Sequence, residues 1–88
     1  MAVLSKHGPE VRRLVIELPS HENGILRLEY SVRKDGKVLR NRKTRYEEGG
    51  QCHRFASGWK MTELNASMVE KIKRTTRGIV ISDIEGGA

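Results

Sequence analysis

ILRLEYSVRKDGKVLRNRKTRY, residues 25–46, changes its rule half-way along. In the first half Leu26, Leu28, Tyr30 and Val32 alternate with Arg27, Glu29, Ser31 and Arg33, the period of a strand with one face on a core. Asp35-Gly36 marks a tight reversal. The returning segment alternates only as far as Leu39 and then becomes polar on both sides. A two-residue loop would pair Val32 with Leu39 and Glu29 with Arg42; a three-residue loop with a bulge would pair Val32 with Val38. A slip of one residue sends every side chain to the other face, so the two registers are distinct structures. In either, Arg40 and Arg42 share one face while Lys43 and Arg45 share the other. A strand basic on both faces cannot be covered on both sides, so it is expected at a sheet edge or as an arm standing clear of the body.

On the N-terminal side, residues 1–10 read as a flexible lead-in ending at Gly8-Pro9. VRRLVIEL, residues 11–18, follows. Leu14, Ile16 and Leu18 fall on one face and Arg13, Val15 and Glu17 on the other, which predicts a strand. Pro19 stops it, and SHENG supplies a turn with Gly24 free to take a positive φ. On the C-terminal side, Glu47-Glu48-Gly49-Gly50 breaks the basic strand, and QCHRFASGWKM, residues 51–61, is the least legible part. It allows a short further strand or an ordered loop. A helix comes next, capped by Thr62 or Asn65. With Asn65 as N-cap, Leu64 and Val69 occupy the positions of a hydrophobic staple. Leu64, Met68, Val69 and Ile72 form its apolar side, Lys73, Arg74 and Arg77 its basic side, and Gly78 is a C′ stop. IVISDIE closes as a strand beside one of the first two.

The fold class is therefore α+β: a small antiparallel sheet of three to five strands, ordered β-β-β-(β)-α-β, with one amphipathic helix on one face. Residues 11–85 form a single domain. A chain of 88 residues leaves much of its surface unburied, and a homodimer is one ordinary way to bury more. One cysteine rules out an internal disulfide framework. No apolar run has the roughly 20 residues that span a bilayer, and the first residues are too polar for a secretory signal. A cytoplasmic, soluble protein is expected.

The net charge of +6 is unevenly spread. Residues 25–46 carry eight cations against two anions, and residues 64–78 carry four against one. Patchy positive charge is the footprint of a polyanionic partner. Nucleic-acid binding, DNA or RNA, is the leading expectation. The candidate residues are Arg33, Lys34, Lys37, Arg40, Asn41, Arg42, Lys43 and Arg45 on the hairpin, with Lys73, Arg74 and Arg77 on the helix. Arginine forks match phosphates and guanine edges, and Asn41 has the amide that reads adenine. Tyr46 and Trp59 are the candidate stacking rings. HRFASGWK interleaves two aromatics with Arg54 and Lys60 in the manner of a stacking platform. With only four aromatics in the chain, however, Phe55 and Trp59 are expected mainly in the core.

Each feature has a plainer explanation. Cations on edge strands deter aggregation, and cations in the last turns of a helix complement its dipole. Other chemistry finds little support. Cys52 and His53 are adjacent, so on a strand they point apart and cannot hold one metal ion. Gly49-Gly50 lacks the lysine of a phosphate loop, and Ser57 is not in a nucleophile elbow. No catalytic residue, metal or cofactor is expected, and no motif assigns a family. The competing expectation is a protein-interaction module, a small inhibitor or adaptor that docks an acidic protein surface or pairs through an exposed edge strand.

Overall fold

The computed structural model describes residues 7–19 and 24–86. The lead-in before His7 and the turn after Pro19 lie outside the described residues. The elements are β1 (Glu10–Pro19), β2 (Ile25–Arg33), β3 (Val38–Glu48), β4 (Gln51–Ala56), β5 (Lys60–Met61), helix α1 (Ala66–Thr75) and β6 (Ile79–Glu85). The class is the α+β one expected, with six strands rather than three to five. The additional strands come from residues 51–61, where alternation was hardest to read.

All six strands form one antiparallel sheet in the order β4-β3-β2-β1-β6, with β5 also pairing to β3. The closing strand lies beside β1, Leu14 opposite Asp83. The β2–β3 hairpin adopts the second of the two registers, with Val32 opposite Val38 and Glu29 opposite Asn41. The reversal is closed by Gly36 N–H donating to the Arg33 carbonyl and by Arg33 N–H donating to the Lys37 carbonyl. Gly36 takes φ 89°, which a side chain would resist.

Of the two alternatives for the basic strand, the edge fails and the arm holds only for its last residues. β3 has β2 on one side and β4 and β5 on the other, so its ladder is interior although its faces are polar. The true edges are β4 with β5, and β6. Beyond Arg45, whose partner on β2 is Ile25, the β3–β4 ribbon continues as a two-stranded arm through Tyr46 opposite His53 to Glu48 opposite Gln51.

The core lies between the sheet and α1. Leu14, Ile16, Tyr30, Val32, Val38 and Val69 are buried together, with Leu18, Leu28, Leu64 and Ile72 packed around them. Asn65 is the N-cap: its side-chain oxygen accepts from Met68 N–H at 3.1 Å. Val69 and Leu64 both join the core, whereas Met68 is exposed. α1 ends at Thr76, whose N–H bonds the Ile72 carbonyl. Gly78 is not a left-handed stop. It is needed because the chain presses on β1 there: a Cβ at Gly78 would clash with the Glu17 carbonyl oxygen and the Leu18 side chain. No helix among the described residues is long and apolar enough to cross a membrane.

Among the described residues, the sheet's other face carries long side chains and no helix or further strand. Val15, Glu29, Ser31, Arg33, Leu39 and Asn41 are all buried on it. Arg13, Ser31, Leu39 and Met61 form one cross-strand row, and the Arg13 guanidinium stands 4.7 Å over the Trp59 ring. The stems of such residues shield apolar surface while their heads stay wet.

Candidate nucleic-acid interface

β4 and β5 are one strand interrupted. Ala56 is opposite Lys43 and Lys60 is opposite Arg40, so Ser57, Gly58 and Trp59 face only Asn41 and Arg42. The extra residue makes a bulge, with Gly58 at φ 78°. Ser57 anchors it: its N–H donates to the Arg42 carbonyl at 2.9 Å, and its Oγ accepts from Arg42 N–H at 3.1 Å. The bulge shifts the alternation by one. Phe55 and Lys60 therefore both lie on the α1 side of the sheet, while Trp59 passes to the opposite side and meets Arg13.

On the α1 side, β3 presents Arg40, Arg42, Thr44 and Tyr46 in succession, because Tyr30, Leu28 and Leu26 pair with the first three. Tyr46 is the middle ring of a column. Its centroid is 5.0 Å from His53 and 5.9 Å from Phe55, with planes inclined by 21° and 17°. Phe55 is 57% exposed, against the expectation that it fills the core. Next to it a cleft of about 420 Å³ is lined by Arg40, Arg42, Thr44, Phe55, Ala56, Ser57 and Lys60. On the reverse side, Arg27, Lys43, Arg45 and Arg54 surround a second cleft of about 390 Å³ with Ile25 and Glu17.

The cations divide into two populations. Arg13 pairs with Glu10, Arg27 with Glu17, Lys43 with Glu29 at 3.2 Å, and Arg74 with Glu70. Arg12 and Lys73 converge on Asp83 at 2.9 and 2.6 Å, and Arg12 also reaches Glu70. Hydrogen bonds from Arg12 and Lys73 hold the Asp83 carboxyl down at about 2, against the opposing effect of its burial. By contrast, Arg40, Arg42, Arg45, Arg54 and Lys60 have no ion pair among the described residues. Two of the pairings within this set set cation against cation, Arg40 opposite Lys60 and Arg45 opposite Arg54.

The structure thus brings together Arg40, Arg42 and Tyr46 on one face and Lys43 and Arg45 on the other. Lys34 and Lys37 lie at the opposite end of β3, at the hairpin tip, both exposed. Arg33 is buried and donates to the Gly8 carbonyl and Ser31 Oγ, which ties the lead-in to the sheet. Asn41 is buried too, its side-chain oxygen without a hydrogen-bond partner among the described residues, and does not reach the surface as an adenine reader would. Trp59 stands under Arg13 rather than in the aromatic column. Lys73 is drawn to Asp83 beside β6, at the edge of the sheet away from the arm, and Arg74 and Arg77 are exposed on and just beyond α1. Phe55, His53, Arg54 and Lys60 are the surface residues that the candidate set omitted. Alternation within QCHRFA separates His53 and Phe55 from Cys52 and Arg54; the bulge that brings Lys60 to Phe55 has only Gly58 as its sign. No group of three metal-ligating side chains occurs among the described residues.

Scans against protein-family models, curated proteins and solved structures return no match to this chain.

Proposed function

We propose that the chain is a non-catalytic nucleic-acid-binding protein, an accessory or regulatory factor, which grips phosphates with β3 and its neighbours β4 and β5. The observation that carries this reading is the pair of like-charge cross-strand contacts, Arg40 with Lys60 and Arg45 with Arg54, neither of them relieved by an anion. Like charges directly opposite on a sheet are destabilising, by an amount of the order of 0.2–1 kcal/mol. A phosphate between two such cations converts the repulsion into two charge-assisted bonds. Arg12, Arg13, Arg27 and Arg74 each have a carboxylate partner, whereas none of the four arginines of this surface has one among the described residues.

The test is fluorescence anisotropy with labelled DNA and RNA oligomers across a salt series. Binding is expected to persist near physiological salt. Its log–log salt slope should shrink in the Arg40→Ala/Arg42→Ala variant by about 0.7 for each lost contact to a single strand, or about 0.9 for duplex DNA. The melting temperature of that variant should hold or rise slightly, since a repulsive pair has been removed. Unchanged affinity in the variant would show that this surface is only a solvated one.

One observation favours a second reading, a protein-interaction module that works by strand addition. β6 is an edge strand whose Ile79 and Ile84 are 70% and 60% exposed, with Ile81 and Val80 partly so. Such an edge is a template for another strand, and a second copy of the chain is the simplest source of one. It lies on the far side of the sheet from β4, so the two readings are compatible.

A further inference from the structure

Building on the nucleic-acid reading, we propose that the ligand is a single strand, with one unpaired base stacked on Phe55 inside the cleft formed with Arg40, Arg42 and Lys60. Tyr46 already stacks with both His53 and Phe55. Of the three rings, Phe55 is the one that forms a wall of the cationic cleft and is open to solvent. A lone exposed phenylalanine is unremarked in most proteins, but this one stands near-parallel to the Tyr46 ring, beside three cations.

A flat aromatic face accepts any base, whereas a duplex keeps its base faces stacked on one another and offers none. Arg40, Arg42 and Lys60 line the same cleft, so a base on Phe55 brings its own flanking phosphates within their reach. The bulge at Ser57–Trp59 is what makes this possible: were residues 55–60 to alternate strictly, Lys60 would fall on the other face of the sheet from Phe55.

The test compares Phe55→Ala and Phe55→Tyr with the parent chain, by anisotropy on single-stranded DNA, single-stranded RNA and duplex DNA of equal length. The parent should prefer the single strands. Phe55→Ala should lose roughly five- to hundredfold on them, the worth of one base–aromatic stack. Its affinity for duplex and its salt slope should stay as they were, and Phe55→Tyr should restore single-strand binding. Because Phe55 is exposed, the alanine variant should melt as the parent does. Equal affinity for single strand and duplex, or no loss in Phe55→Ala, would overturn the stacking proposal while leaving phosphate binding in place. No binding to any of the three oligomers at physiological salt would overturn the nucleic-acid reading along with it. A preference between the two single strands assigns the ligand to DNA or RNA.

Discussion

Asp83 shows how a single side chain can make folding depend on acidity. Its carboxyl titrates at about 2 because Arg12, and then Lys73, hydrogen-bond the charged form; unfolded, it would titrate near 3.8. The native state thus binds its proton less readily than the unfolded one, and the stabilisation is complete above about pH 4. It is lost as the pH falls from there through 2. Asp83→Asn should lower the melting temperature at pH 7, because Arg12 keeps only Glu70 as a close partner. It should also flatten the slope of melting temperature against pH between 4 and 2, so that variant and parent converge in acid. A parent-like slope in the variant would place the acid sensitivity elsewhere. The same scale separates structural arginines from surface ones. Arg33 and Arg40 look alike in sequence, each followed within a few residues by further cations. Gly8, 25 residues away, is one of the acceptors that make Arg33 an internal donor, with Ser31 beside it.

At the scale of the element, the bulge at Ser57–Trp59 decides which side chains meet. A chain lacking Gly58 would restore strict alternation from β4 into β5, with Ser57 opposite Arg42 and Trp59 opposite Asn41. Trp59 would stay on the Arg13 side of the sheet and Lys60 on the Phe55 side. Parent-like emission from Trp59, the single tryptophan, is expected; red-shifted emission would mean that Trp59 has left Arg13. This element also marks the limit of what the sequence revealed. β1, β2 and β6 were legible because a strand with one face on a core repeats every second residue, and α1 because Asn65 and its apolar side agree on one frame. β3 was legible as basic on both faces but not as interior, since its second neighbour comes from residues whose alternation the bulge breaks. Phe55 and Trp59 stand four apart and read as one face; the extra residue sends them to opposite faces, one outward into the candidate site and the other under Arg13. Within that site Arg40, Arg42 and Tyr46 followed from period two alone, whereas Lys60 depended on the bulge.

At the scale of the whole molecule, the two edges of the sheet differ in kind. One carries an arm with unpaired arginines, and the other presents isoleucines. If β6 takes a second copy, sedimentation should show a mass that rises with protein concentration, and Ile84→Lys should hold the chain as a monomer without changing its fold. A monomer at every concentration would leave that edge without a role in self-association. Between the edges runs β3, whose backbone is paired on both sides at Leu39, Arg40 and Lys43–Arg45 and is tied to Ser57 at Arg42, while its charged side chains face water. Its amides should accordingly be among the slowest to exchange with deuterium, although the surface they carry is among the most polar. A ligand arriving there meets a backbone that is already ordered, so little conformational entropy is left to lose on binding, and the adjustment falls to the ends of the arginine side chains.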